Sequence, residues 1–148
     1  MEPITSFKRK ETKFLSNFYP VTVAFEGDRY AAVEDAFQAA KTLDPKERML
    51  IQLCETPADA RRCGRHVTLR SDWNDIKVGV MLDLLRQKFS HPNLKAMLLA
   101  TEDAVLIEGN THHDNFWGNC TCRRCVEIEG QNHLGKLLMQ VREELKKG

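Results

Sequence analysis

The sequence predicts a helix-rich α+β fold with a small β-sheet, organised as one compact domain over residues 1–148. Three observations predict it: an alternating strand pattern near the N-terminus, a series of capped helical segments, and no repeat or linker. No glycine-rich phosphate fingerprint follows a strand, which excludes the Rossmann and P-loop classes. A chain of 148 residues is long enough to bury a core without disulfides.

The strand pattern lies mainly in the first third of the chain. Residues 21–25 alternate between apolar and polar positions, residues 26–28 form a turn, and residues 29–31 return as a second strand. Residues 104–108 are a short apolar run that ends at Gly109, so a further strand is predicted there.

The helical segments are marked by their start and stop signals. Asp44 and Thr56 each stand before a proline and are predicted N-caps, and Gly64 is a predicted stop. Ser71 is the predicted cap of a longer helix with apolar residues at three- and four-residue spacing. Helices are expected over residues 32–43, 45–54 and 57–64, after Ser71, and over residues 93–100 and 134–146.

Composition and charge narrow the class of protein. Twenty-two lysines and arginines against 21 acidic residues give a net charge of +1, so no general attraction to nucleic acid or membrane is implied. No run of about 18 apolar residues and no signal-peptide core occur, so we expect a cytoplasmic protein without a membrane partner. In a reducing compartment its five cysteines are free thiols, ligands or nucleophiles.

A polar stripe runs along the first predicted helix. Glu34, Gln38 and Lys41 are spaced by four and three residues and share one helical face, with Phe37 close to the same side. A carboxylate, an amide and an amine beside an aromatic ring suit the binding of a polar ring or a sugar. A solvated surface helix carries the same pattern, and spacing alone leaves both interpretations open.

Two further motifs follow residue 110. Asp114, three residues before Trp117 in a loop, suits acid/base chemistry beside a stacking ring, or equally an Asx turn with the tryptophan as a core residue. Asn132 is a predicted N-cap of the last helix, which leaves backbone N–H groups free for an anion. Gly135 allows another backbone or a ligand to approach closely.

Three cysteines directly follow the loop that contains Asp114. Cys120, Cys122 and Cys125 supply three thiolates, and His112 or His113 supplies a fourth donor, so a structural zinc site is one interpretation. Against it, only one Cys-x-x-Cys pair is present. A small zinc-dependent nucleic-acid-binding domain rests on these cysteines alone, and the near-neutral charge opposes it.

With these motifs in place, the sequence resembles the NADAR family, the YbiA-like N-glycosidases, from about residue 14 to residue 145. The combination of segments in this order is specific, although each alone is weak. One departure is Asp35, where the family pattern usually has a histidine. The segments are FLSNFYP (14–20), VEDAFQAAK (33–41), ARRCGR (60–65), LRSDW (69–73) with Lys77, HDNFWG (113–118) and GQNHLGKLLMQVREEL (130–145).

The resemblance implies an enzyme that hydrolyses the C–N bond between a ribose C1 and an amino group. It implies release of ADP-ribose from ADP-ribosylated guanine, as a nucleotide or in DNA, with an ADP-ribosyltransferase toxin as partner. Phosphorylated ribosylamino intermediates of riboflavin biosynthesis are the alternative substrates. A non-catalytic module that binds ADP-ribose or NAD is the alternative class. No cofactor is required, since the cysteines occur in only some relatives.

By position, the resemblance implies catalytic roles for Glu34, Lys41 and Asp114. Two routes stay open: the carboxylates of Glu34 and Asp114 act as acid and base or electrostatic stabiliser, or Lys41 attacks C1 and forms a Schiff base. The implied substrate-binding residues are Asn17, Phe18, Tyr19, Phe37, Gln38, Arg65, Trp73, Trp117, Gly118, Asn132 and Gly135.

Overall fold

The computed structural model describes all 148 residues, with six α-helices, one 3₁₀ turn and two two-stranded sheets. This content confirms the predicted α+β class. The chain divides into two compact units: residues 17–88, called the hairpin unit, and residues 1–16 with 89–148, called the terminal unit. The single domain over residues 1–148 therefore stays a prediction. None of the helices combines the length and the apolar character that crossing a lipid bilayer requires.

The hairpin unit begins with two antiparallel strands, β1 (Pro20–Phe25) and β2 (Asp28–Ala32), as predicted. Glu26 and Gly27 connect them with φ angles of 46° and 92°. A two-residue type I′ turn needs the left-handed backbone at both positions because its twist then matches that of the strands. Glycine adopts this conformation without the steric penalty that a Cβ imposes.

Four helices complete the hairpin unit: α1 (Val33–Ala40), α2 (Pro45–Gln52), α3 (Pro57–Gly64) and α4 (Trp73–Lys88). Both predicted caps are confirmed, since the side chain of Asp44 accepts from the N–H of Lys46 and that of Thr56 from the N–H of Asp59. Each cap satisfies a backbone donor that the first helical turn leaves without a partner.

The predicted cap of α4 is wrong by one residue. The N–H of Trp73 donates to the carbonyl of Arg70 at 3.2 Å, and this turn places Asp72, not Ser71, directly before the first helical residue. The Arg70 guanidinium also donates to the Asp72 carboxylate at 2.7 Å, which holds the turn.

Helix α1 lies at the centre of the hairpin unit. All eight of its residues are buried, and it packs against both strands and against α2, α3 and α4. Any polar side chain on this helix is therefore enclosed by neighbouring elements, whichever face it occupies.

The terminal unit contains the 3₁₀ turn Lys13–Leu15, helices α5 (Pro92–Leu99) and α6 (His133–Lys147), and two very short parallel strands. These strands are β3 (Gly109–Asn110) and β4 (Asn119–Cys120). Helices α5 and α6 pack against each other and agree with the predicted segments to within one residue at each end.

The strand predicted over residues 104–108 is wrong. Only Leu106 forms a bridge there, with Ile4. The physical reason is that the Asn132 side chain takes the place of a neighbouring strand. Its Nδ2 donates to the Leu106 carbonyl at 2.9 Å, and its Oδ1 accepts from the Glu108 N–H at 3.0 Å.

Candidate active site

The polar stripe on α1 is buried. Glu34 is 4% exposed and Gln38 is 5% exposed, while Lys41, directly after the helix, is half-buried. The alternative of a solvated surface helix is therefore wrong for these residues. Sequence spacing could not reveal this, because the enclosure comes from the strands and helices that surround α1.

Glu34 carries the only carboxylate of the stripe and is tightly held. Its Oε1 accepts from Arg61 Nε at 3.1 Å and from Gln38 Nε2 at 3.4 Å, and its backbone N–H donates to the Asn17 carbonyl at 3.0 Å. The Arg61 guanidinium lies 4.6 Å from the centre of the Phe18 ring, a cation–π contact that fixes it in place. The carboxylate is thus oriented before any substrate binds.

Lys41 sits in a cationic environment within the same unit. Burial lowers the pKa of its amine below the ordinary 10.5; Glu34 opposes that shift, and the positive charges of Arg61, Arg65 and Lys77 add to it. A buried amine with a lowered pKa is more often neutral at physiological pH, and the neutral amine is the nucleophilic form. Lys41 therefore has the electrostatic surroundings of an activated lysine.

Several other residues of the hairpin unit that are predicted to bind substrate are aromatic. The rings of Phe37 and Trp73 lie 5.0 Å apart at an angle of 58°. Tyr19 receives the ammonium of Lys88 at 5.7 Å, and burial lowers the pKa of Lys88 to about 7. Phe37 and Trp73 are both buried and pack on each other, so contact of these rings with a substrate base stays a prediction.

Buried hydrogen-bond acceptors without a protein partner cluster around α1. They are Asn17 Oδ1, Asp35 Oδ1 and Gln38 Oε1. Native proteins leave few buried polar atoms unpaired. Acceptors such as these can be satisfied by an ordered water molecule or by a hydroxyl group of a bound ligand. Two of the three belong to residues that the sequence predicts to bind substrate.

Asp35 and Arg61 are the residues that the sequence analysis missed. Arg61 lies in the segment ARRCGR that supplied Arg65, and its spacing to Glu34 gave no sign of the ion pair. Asp35 is 2% exposed, and burial, followed by the neighbouring charge of Glu34, raises the pKa of its carboxyl to about 6. The only signal at Asp35 was its departure from the family pattern.

The raised pKa of Asp35 predicts a pH-dependent stability. Between about pH 4 and pH 6 the folded chain holds a proton that the unfolded chain has released, so stability falls as pH rises through this window. Above it the buried carboxylate costs about 1–3 kcal/mol. Asp35→Asn is expected to flatten this slope in thermal unfolding at pH 4.5, 6 and 7.5, and to raise the melting temperature at pH 7.5.

The exposed Asp28→Asn change is the matched control for this measurement, and it is expected to keep the wild-type slope. If Asp35→Asn keeps that slope as well, the buried carboxyl is not the titrating group.

In the terminal unit, the Asp114 side chain stabilises its own loop through hydrogen bonds to the backbone. Its Oδ1 accepts from the N–H groups of Phe116 at 3.1 Å and Trp117 at 2.8 Å, so the Asx turn is confirmed. The buried Asn110 orients the turn by donating from Nδ2 to the Asp114 carbonyl at 2.8 Å. Trp117 is half-buried and not a core residue, with its ring centre 4.9 Å from that of Phe116.

The DNFWG loop, residues 114–118, is tied to the start of α6. Four backbone N–H groups, those of residues 131–134, donate to the carbonyls of residues 115–118 at 2.7–3.2 Å. The N–H groups of His133 and Leu134 at the start of α6 are therefore occupied, and the prediction that they face an anion is wrong for these two groups. The Asn132 side chain makes no cap bond either, because it holds residues 106 and 108 instead.

Gly118 and Gly135 serve close packing in the same region. A Cβ on Gly135 would collide with the Leu106 carbonyl, and one on Gly118 would collide with Glu108. The expected close approach of a backbone is confirmed at Gly135. Substrate contacts of Trp117, Gly118, Asn132 and Gly135 stay predictions.

The three cysteines after the loop converge on one histidine. The ligand atoms of His113, Cys120, Cys122 and Cys125 lie within 4.8 Å of one another, an arrangement that can hold a metal ion. Of the two candidate histidines, it is His113 and not His112 that joins them. These four residues are called the Cys₃His cluster.

The chain is similar to several known proteins. A family model described as NADAR domain matches residues 6–146. N-glycosidase Npun_R5314 of Nostoc punctiforme is 38% identical over 137 residues, covering 88% of this chain and 84% of that protein. N-glycosidase YbiA of Escherichia coli strain K12 is 40% identical over 133 residues, covering 88% of this chain and 79% of that protein.

The chain is also similar to a solved structure and to part of a longer protein. The NMR structure of E. coli YbiA matches with a TM-score of 0.80 and 36% identity, over 99% of this chain and 84% of that chain. Riboflavin biosynthesis protein VVA0006 of Vibrio vulnificus is 37% identical over 148 residues, covering 97% of this chain and 39% of that protein.

Proposed function

The chain belongs to the NADAR domain family, and from that membership we propose that it releases ADP-ribose from ADP-ribosylated guanine, in a nucleotide or in DNA. The chain is a hydrolase of N-glycosyl bonds, the activity stated in the names of its relatives at 38% and 40% identity. The bond cleaved joins a ribose C1 to an exocyclic amino nitrogen.

The observation that carries the proposed substrate is the charge around Glu34. Arg61 pairs with Glu34, and Arg61, Arg65 and Lys77 together place three positive charges around Lys41 on the same polar stripe. Such an excess of positive charge attracts phosphate groups, and arginine binds them in a bidentate manner. ADP-ribose carries two phosphates, while the acceptors of Asn17 and Gln38 suit the hydroxyls of a ribose.

Phosphorylated ribosylamino intermediates of riboflavin biosynthesis are the second candidate substrates. The similarity to a riboflavin biosynthesis protein favours them, and the same cations accommodate a single phosphate. A module that only binds ADP-ribose or NAD is the remaining alternative. It is less well supported, because binding alone needs neither a buried carboxylate nor a lysine with a lowered pKa beside it.

The surroundings of Lys41 favour the nucleophilic route. Its neutral amine attacks C1, the bond to the amino nitrogen breaks, and the ribose ring opens at its oxygen. One of the two protons that the leaving amine and the ring oxygen take up comes from Nζ, and the other from a general acid. The imine at C1 is therefore protonated. Water hydrolyses it to the C1 aldehyde, which returns the neutral amine to Lys41 and a proton to the general acid.

The buried Glu34 carboxylate is proposed to stabilise the positive charge that develops at C1, and Arg61 orients it. Asp114 is proposed as the second carboxylate, which transfers the proton to the leaving group. In this scheme Phe18, Tyr19, Phe37, Trp73 and Trp117 are proposed to contact the base, and Arg65 the phosphates.

No cofactor is assigned to the reaction. All four positions of a tetrahedral metal at the Cys₃His cluster would be taken by protein atoms, which leaves no position for water or substrate. The proposal also includes a cytoplasmic location and an ADP-ribosyltransferase toxin as functional partner.

The test is direct incubation with both substrate classes. Purified protein is mixed with ADP-ribosylated guanine in an oligonucleotide and with a ribosylamino phosphate, and the products are read by mass spectrometry. Free ADP-ribose and restored guanine are expected from the first substrate at the faster rate. Faster cleavage of the second would contradict the proposed substrate, and no cleavage of either would contradict the proposed hydrolase activity.

A further inference from the structure

The strongest feature outside the proposed reaction is the Cys₃His cluster. His113 Nδ1 lies 3.3 Å from Cys122 Sγ, 3.4 Å from Cys125 Sγ and 4.0 Å from Cys120 Sγ. The nitrogen therefore lies within 4.0 Å of all three sulfurs, although the residues are spread over thirteen positions of the chain.

The three nitrogen-to-sulfur distances bracket the corresponding edge of a tetrahedral zinc site, and all four ligand atoms lie within 4.8 Å of one another. Zinc binds sulfur at about 2.3 Å and imidazole nitrogen at about 2.05 Å, so the ligand atoms stand about 3.6 Å (N to S) and about 3.8 Å (S to S) apart. We propose that His113, Cys120, Cys122 and Cys125 bind one zinc ion as a closed structural site. The thiolate-rich donor set selects zinc over magnesium and calcium, which require oxygen ligands.

The position of the site in the chain indicates what the zinc stabilises. His113 directly precedes the DNFWG loop and Cys120 follows it by two residues, so one ion ties both ends of the loop together. Three local contacts support the same geometry. The His113 N–H points to Cys120 Sγ at 3.3 Å, Asn115 Oδ1 accepts from the Cys120 N–H at 2.9 Å, and Cys120 pairs with Asn110 across β4 and β3.

Around the cluster the backbone is strained at one end and exposed at the other. His113 has a left-handed φ of 69°, which costs energy in a residue with a Cβ. Beyond the cluster, residues 126–129 form no helix or strand and are exposed. Metal ligation would therefore add to the hydrogen bonds that already hold the segment between β3 and α6.

The first experiment measures the metal alone. Protein purified under reducing conditions is expected to contain about one zinc per chain by elemental mass spectrometry. Exchange with Co²⁺ is expected to give the visible bands of tetrahedral cobalt and a sulfur-to-cobalt charge-transfer band. Protein without zinc, together with cobalt spectra lacking these bands, would overturn the proposal.

A pair of neighbouring histidines supplies the matched variants. Both side chains are exposed, so replacing either one leaves the core unchanged. His113→Ala is expected to weaken zinc binding at least about tenfold in competition with a chromophoric chelator, whereas His112→Ala keeps the wild-type affinity. Equal affinities in the two variants would overturn the assignment of His113.

The proposal about the role of the ion rests on the proposed function of the loop, but the metal readouts need no substrate. Removing zinc is expected to increase proteolytic cleavage within residues 111–129 and to leave cleavage elsewhere unchanged. Stoichiometric zinc in a protein without hydrolase activity would refute the proposed function only. An active protein that binds no zinc would refute only the metal site.

Discussion

Glu34→Gln is expected to lower the rate of N-glycosyl hydrolysis by about 10²–10⁴-fold while the protein stays folded. The amide keeps the size of the side chain and can still accept from Arg61 and Gln38, so packing on α1 is preserved. What is lost is the negative charge that stabilises the developing positive charge at C1. The measurement is single-turnover hydrolysis of ADP-ribosylated guanine, with thermal unfolding of the same sample.

Glu26→Gln provides the matched control for Glu34. Glu26 is also a glutamate paired with an arginine, Arg48 at 3.0 Å, but it lies exposed in the hairpin turn. Its replacement is expected to leave hydrolysis unchanged and stability within about 1 kcal/mol, as for most surface ion pairs. Near-wild-type hydrolysis by Glu34→Gln would contradict the assignment of the active site to α1.

Lys41→Ala is expected to abolish turnover. It is also expected to abolish the covalent adduct between the enzyme and the sugar that the lysine route predicts. In the wild-type protein, borohydride added during turnover is expected to reduce the imine between Lys41 Nζ and C1 and so trap the sugar on the chain. Peptide mass spectrometry then locates the adduct. The exposed Lys46→Ala variant on α2 is the control and is expected to retain both turnover and adduct.

The pH dependence provides a second test of the lysine route. Because burial lowers the pKa of Lys41 below 10.5, the neutral amine becomes abundant at a lower pH than for an ordinary lysine. The rate of adduct formation is expected to rise with pH and to level off at that lowered pKa. Turnover without any trapped adduct would instead support the route that uses the two carboxylates of Glu34 and Asp114.

Much of the local structure was predictable because its causes are local. Asp44 and Thr56 before prolines fixed two helix starts, and a glycine in a left-handed turn fixed the hairpin. The motifs also mark α1 and the DNFWG loop as the segments predicted to carry the chemistry. Short-range hydrogen bonds and steric limits act between residues that are close in sequence, so the sequence alone expresses them.

The predictions from sequence were wrong where residues distant along the chain compete for the same backbone hydrogen-bonding groups. Asn132 binds the backbone at Leu106 and Glu108, which removes both the expected strand and the expected cap. In the same way, the DNFWG loop occupies the N–H groups at the start of α6. No local pattern records such long-range hydrogen bonds, because each needs two segments that meet only after folding.

The sequence by itself determined which residue types this protein has for its chemistry, and their order along the chain. Only the tertiary structure decided the environment of each residue: Glu34 is buried against Arg61, burial and then neighbouring cations lower the pKa of Lys41, and His113 joins the cysteines. The physical reason is that burial, electrostatic fields and metal-ligand distances depend on three-dimensional separation, which spacing along the chain does not fix.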